Sequence, residues 1–101
     1  MAYYFISSYD VINKDKYENE YLPAVVPLLM KHGAQILVAD YDPKTVEGQA
    51  KSANIVLKFE DETSAKAWYE DPDYEPVRQL RFDSTENGTA LYANEFVLPS
   101  Q

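Results

Sequence analysis

Apolar and polar positions along this chain switch between two periods, and the switches mark out its elements. Residues Tyr3 to Tyr9 alternate and are rich in aromatic and β-branched types, which predicts a first strand. From Asp15 to His32 the apolar positions Tyr17, Tyr21, Ala24, Val25, Leu28 and Leu29 recur at three and four, the stripe of an amphipathic helix. Pro23 and Pro27 interrupt it, so a kink near Leu22 or two short helices in line are expected, with Gly33 as the stop. Gln35 to Tyr41 reads as a second strand. A polar connection from Asp42 through Asn54 follows, with a short extra strand expected around Val46 to Gly48, and Ile55 to Phe59 reads as a third strand. Asp61-Glu62-Thr63-Ser64 places acids and a capping hydroxyl before a helix carrying Ala65, Trp68 and Tyr69, which stops before Pro72. A further helical piece from Tyr74 to Phe82 presents Val77, Leu80 and Arg81. Asn87-Gly88 then predicts a turn into a last strand, Thr89 to Leu98.

Strand, helix, strand, strand, helix, strand is the split β-α-β order of an α+β, ferredoxin-like βαββαβ fold, a four-stranded antiparallel sheet with helices on one face. The 101 residues fit one such domain, 1–101. Several strands are apolar on both alternating sets: Tyr3 and Phe5 against Tyr4 and Ile6, Ile36 and Val38 against Leu37 and Tyr41, Leu91 and Val97 against Tyr92 and Phe96. The helices cover one face only. The other face is expected to meet a second copy about a two-fold axis, as a dimeric α/β barrel.

Composition narrows the partners. Seventeen acidic residues against nine basic ones give a formal charge of −8, which repels phosphate backbones and anionic membranes, so neither nucleic acid nor membrane is expected as a partner. No stretch approaches the ~20 apolar residues of a membrane span, and the apolar start Tyr3-Tyr4-Phe5-Ile6 lacks a basic leader. A cytoplasmic protein is expected. With no cysteine and a single histidine, thiolate nucleophiles, zinc-thiolate sites, iron–sulfur clusters and an imidazole-based metal centre within one subunit are excluded. No metal site and no cofactor is expected.

A family resemblance rests on particular residues. The opening Tyr3-Tyr4-Phe5-Ile6, the helix ending Val26-Pro27-Leu28-Leu29 with His32-Gly33-Ala34, the Glu47-Gly48 pair, the strand ending Leu57-Lys58-Phe59 and the segment Ala67-Trp68-Tyr69 with Pro72, Tyr74 and Arg81 resemble the domain-of-unknown-function 1330 family. The tryptophan-tyrosine pair followed by Pro72, Tyr74 and Arg81 is the most specific part. The resemblance implies a homodimer of ferredoxin-like subunits within the dimeric α/β-barrel superfamily, whose members include cofactor-free monooxygenases, lactone isomerases, haem-binding and stress-responsive proteins. It implies no particular activity. The chain departs from the family pattern at Ala34, where a second glycine is common, and at Lys51-Ser52-Ala53-Asn54, where an arginine is usual.

Four residues are the candidate ligand-binding set: His32, Tyr69, Tyr74 and Arg81. His32 is the natural acid or base near neutral pH, although its place in a last helical turn suits bonding a free carbonyl better. Trp68 reads as core, whereas the hydroxyls of Tyr69 and Tyr74 suit a pocket or a subunit boundary. Arg81, beside Leu80 and Phe82, is expected to be partly buried, and a buried arginine needs an anion from protein or ligand; with seventeen acids in the chain, a salt bridge is the default expectation. The acids Glu60-Asp61-Glu62 and Glu70, Asp71, Asp73 and Glu75 lack the spacing of a calcium loop and read as solvated charges flanking helices. The nine tyrosines suit a tyrosine-rich dimer interface better than a pocket lined with phenol donors. The first functional reading is a small homodimer binding a small organic molecule, possibly a carboxylate, in a pocket near the sheet. The alternatives are a cofactor-independent isomerase or monooxygenase and a structural module.

Overall fold

The computed structural model describes residues 1–99. Its elements run β1 (Tyr3–Val11), α1 (Lys14–Lys16), a π-helical turn (Tyr17–Tyr21), α2 (Leu22–Lys31), β2 (Gln35–Asp40), β3 (Ala53–Phe59), α3 (Glu62–Tyr69), α4 (Tyr74–Ser84) and β4 (Thr85–Asn94). The sheet is antiparallel in the order β2-β3-β1-β4, with β1 in the middle pairing both β3 and β4. The ferredoxin-like order expected from the sequence is therefore present.

Four local features differ from the sequence reading, each for a physical reason. Pro23 has no N–H to offer the preceding turn, and the helix answers by widening ahead of it: the Leu22 N–H bonds to the Tyr17 carbonyl, five residues back. A π turn replaces the expected kink near Leu22. Residues 41 to 52 hold no strand, and Val46 is exposed, so the extra strand expected at Val46 to Gly48 is absent. Asn87-Gly88 is not a turn between elements. The pair lies inside β4 as a bulge opposite Tyr9, since Ser8 pairs with Thr89 and Asp10 with Glu86, and Asn87 takes a left-handed conformation at φ 56°. Strand β4 thus begins at Thr85, directly after α4, and ends at Asn94 instead of Leu98. In β2 the register slips between Ile36 and Val38, which breaks the simple alternation assumed for that strand. Ile36, Ala39 and Tyr41 consequently all line the helix side.

Helices and sheet enclose one core. Trp68 is its centre, edge-on to Phe5 with ring centroids 5.1 Å apart and close to Tyr74 at 4.6 Å. α3 is capped by the Asp61 carboxylate, which accepts the Ser64 N–H at 2.8 Å, so an acid performs the capping expected of a hydroxyl. The opposite face of the sheet carries an apolar row in register across all four strands, Val38–Val56–Ile6–Leu91. On one side of that row lie Gln35, Lys58, Tyr4 and Ala93, and on the other the polar Asp40, Asn54, Ser8 and Thr89. Ile6, Val38 and Leu91 are exposed there.

Candidate functional site

Helix α4 turns Arg81 inward until only 5% of the residue is exposed. None of the four ion pairs among the described residues involves it. Its guanidinium carbon lies 5.2 Å from the Phe82 ring centroid and 5.7 Å from that of Tyr9. Such cation–π contacts return about 0.5–2 kcal/mol, while desolvating an ion costs several kcal/mol. They also leave the N–H fork without a planar acceptor. No described carboxylate forms an ion pair with that fork.

Arg81 divides two spaces. On the inner side is a cavity of about 60 Å³ between helices and sheet, lined also by Ser7, Tyr9, Tyr17, Tyr21 and Trp68. On the outer side a cleft of about 280 Å³ runs between the end of α4 and β4, lined by Tyr69, Phe82, Thr85, Thr89 and Glu86 among others. The β4 bulge forms part of that cleft. A Cβ at Gly88 would stand 3.4 Å from the Tyr9 Cβ, at the near edge of ordinary contact. Among the described residues, the Trp68 Nε1 is the one fully buried side-chain polar atom without a hydrogen-bond partner. An unmet buried donor costs about 1–3 kcal/mol.

Five phenols surround this region in two hydrogen-bonded sets. The Tyr9 and Tyr17 hydroxyls lie 2.6 Å apart, the Tyr17 and Tyr41 hydroxyls 2.9 Å, and the Tyr21 and Tyr74 hydroxyls 3.0 Å. Three phenols sharing two bonds carry one proton more than they use, so one of the three always has an O–H to donate elsewhere. Burial pushes Tyr9 up to about 12 and raises Tyr17, Tyr21 and Tyr74 as well. At neutral pH these groups are therefore proton carriers and not phenolates. Tyr41 opens onto a separate surface pocket of about 360 Å³ with Lys14, Glu18 and Ser52.

Three of the four residues chosen from the sequence come together. Tyr69 lines the cleft with Arg81, and its ring stands 5.8 Å from that of Tyr74. Arg78 caps both rings, 4.7 Å from the first and 5.6 Å from the second, and donates Nη1 to the Tyr69 carbonyl at 2.8 Å. His32 sits apart from both spaces around Arg81. Its peptide N–H ends α2, and its Nε2 lies 2.8 Å from Asp71 Oδ2, the oxygen that Lys31 Nζ also approaches at 3.0 Å. The imidazole thus pins the helix end to the Asp71 turn instead of bonding a free carbonyl. The His32 bond, then the Asp73 N–H and Lys31, hold the Asp71 carboxyl well below the ordinary carboxylate range.

The sequence reading missed Tyr17 and Tyr21 as site residues and took them only as part of a helical stripe. Their i, i+4 spacing two residues ahead of a proline, facing a strand with an inward Tyr9, was the available signal.

The fold is that of a small ferredoxin-like α+β domain with a buried arginine between helices and sheet. Its sequence matches the family described as "Domain of unknown function (DUF1330)" over residues 2–94, and the chain belongs to that family. No curated protein matches it in sequence. Among solved structures, a protein of unknown function from Rhodopseudomonas palustris superposes with a TM-score of 0.79 at 8% identity, covering 96% of this chain and 84% of that one. A dimeric protein of unknown function and ferredoxin-like fold from Bacteroides fragilis gives 0.61 at 12% identity over 93% and 96% of the two chains. A putative antibiotic biosynthesis monooxygenase from Bacteroides thetaiotaomicron gives 0.60 at 16% identity over 99% and 94%. At these identities the likeness is one of fold.

Proposed function

We propose that this chain is the subunit of a homodimer that binds a small organic carboxylate, with Arg81 holding the carboxylate and Tyr69 and Phe82 flanking an apolar body in the outer cleft. The observation that carries the reading is the buried guanidinium with no described carboxylate beside it. Dimerisation is supported by the apolar row Val38–Val56–Ile6–Leu91 on the face that no helix covers, and the fold neighbour from Bacteroides fragilis is itself described as dimeric. Glu86 in the cleft wall disfavours a second negative charge on the ligand, so monocarboxylates fit best. Calorimetric titration with benzoate and with neutral benzamide tests this. Benzoate should bind, benzamide should not, and Arg81→Gln should lose the difference; equal affinity of wild type and variant for benzoate would remove Arg81 from the site.

The chain Tyr9–Tyr17–Tyr41 favours a second reading, a cofactor-independent enzyme of the isomerase or monooxygenase kind. A phenol series reaching from the Arg81 region to the surface can pass a proton to an oxyanion formed on a bound substrate. Turnover that survives in Tyr17→Phe would speak against that use of the series. If neither carboxylate binding nor turnover is found, the dimer face itself becomes the function.

A further inference from the structure

We propose that Asn87-Gly88 is a self-modifying site, at which the side-chain amide of Asn87 is lost as ammonia and an aspartate or isoaspartate is left in the β4 bulge, with Lys51 assisting the step. The site stands apart from the carboxylate reading above. In the reaction the Gly88 nitrogen attacks Cγ of Asn87. As that N–Cγ bond forms, the nitrogen gives its proton to solvent; the Cγ–Nδ2 bond then breaks, the amide nitrogen takes a proton from water and leaves as ammonia, and a five-membered imide remains. Water adds to one imide carbonyl or the other and opens the ring to aspartate or isoaspartate. The net change is amide plus water to carboxylate plus ammonium, with no oxidant or further reactant.

Access, backbone pairing and charge all favour the step here. Asn87 and Gly88 are both exposed, and the glycine carries no side chain to shield its nitrogen, so solvent reaches the reacting atoms. Neither residue has a partner in the register of β4 with β1, because Ser8 pairs with Thr89 and Asp10 with Glu86, and the ladder that would hold this peptide still is interrupted. Lys51 Nζ donates to the Asn87 carbonyl oxygen at 2.7 Å. That oxygen belongs to the same peptide unit as the attacking nitrogen. Once the nitrogen has lost its proton, the negative charge is shared with that oxygen, where the ammonium stabilises it. Asp10 fixes the other reacting group: its Oδ1 accepts the Ser52 N–H at 3.1 Å and its Oδ2 accepts from Asn87 Nδ2 at 3.3 Å. Conversion replaces this last bond with the repulsion of two carboxylates, and isoaspartate also adds one carbon to the main chain, so β4 is loosened from β1 at this end.

No lysine or arginine follows Arg81, so trypsin releases residues 82–101 as one peptide that carries Asn87 and, as an internal control, Asn94 ahead of Glu95. Full-length protein is incubated at mildly alkaline pH, folded or in urea, and the peptide is followed by mass spectrometry with chromatographic separation of the aspartate and isoaspartate forms. In the folded protein Asn87 should gain the mass of one amide-to-acid exchange while Asn94 stays intact, and it should convert faster than in urea, where the Lys51 contact is gone. Lys51→Met should slow the folded protein about tenfold, the loss expected for one hydrogen bond to a charged group, and should leave the rate in urea unchanged. Should that variant fail to fold, the wild-type comparison decides alone. An Asn87 that converts no faster than Asn94, or more slowly folded than in urea, would overturn the site. Equal rates in folded wild type and folded Lys51→Met would overturn the part given to Lys51.

Discussion

Replacing Arg81 with methionine should make the protein more stable and less able to bind an anion. The substitution keeps a long unbranched side chain in a site where the residue is 5% exposed, and it removes a charge that four described ion pairs all bypass. Exchanging buried ionic groups for apolar ones of similar volume stabilises by about 1–4 kcal/mol. Losing the contacts with the Tyr9 and Phe82 rings takes back ~0.5–2 kcal/mol, leaving a net change between about −1 and +3.5 kcal/mol, centred on a gain of ~1 kcal/mol. At ~4 °C per kcal/mol for a domain of this length, the midpoint should rise by about 5 °C at that centre. The bonds that Ser84 and Thr85 donate to the Arg81 carbonyl involve only its main chain and survive the change. Thermal unfolding followed by circular dichroism in a chloride buffer free of carboxylates and phosphate reads the effect. Benzoate at a hundred times its dissociation constant should then raise the wild type by about 2.7 kcal/mol and leave Arg81→Met where it was. A variant that melts below the wild type, and gains as much from benzoate, would refute the idea that this cation is held ready for a ligand at the expense of the fold.

Tyr17→Phe removes the shared member of two hydrogen bonds and should cost about 1–3 kcal/mol in urea unfolding; an unchanged midpoint would mean that the Tyr9–Tyr17–Tyr41 series adds nothing to stability. The Asp71 carboxyl is held below its unfolded value, so the stability it adds is complete above the ordinary carboxylate pKa of about 3.9 and drains away as the pH falls below it. Urea midpoints measured between pH 2 and 6 should therefore drop more steeply toward acid in the wild type than in Asp71→Asn, and parallel curves would dismiss the His32–Asp71–Lys31 clamp. Ile6→Asp places a charge in the middle of the apolar row and should convert a dimer to a monomer by light scattering at micromolar concentration, whereas a dimer unchanged by it would move the interface elsewhere.

The element order was legible in the sequence because strand alternation, the Trp68 helix and the proline and glycine stops are all local signals. What escaped were events that depend on neighbours. The slip at Leu37 and the bulge at Asn87-Gly88 exist only relative to the strands beside them, and a dipeptide that ordinarily signals a turn became part of β4 because Tyr9 lay opposite. The π turn was half visible: Pro23 announced a disturbance but not its form. Arg81 was legible as a buried cation needing an anion, while its lack of a carboxylate neighbour could emerge only once the seventeen acids had been placed. His32 was drawn out of the site by Asp71, thirty-nine residues away in sequence, a distance no local pattern spans.

The π turn at Tyr17–Tyr21 amounts to one residue inserted into an α-helix. Losing a single codon there would restore regular winding through α1 and α2, and it would also swing the residues ahead of the deletion by about 100° around the helix axis. Tyr17 would leave Tyr9 and Tyr41 together, and the phenol series would be broken in one mutational step with the rest of the helix intact. Relatives with and without this extra residue would then differ in whether they possess the series at all, so a gap of one position in an alignment would divide the family more sharply than any substitution inside the site.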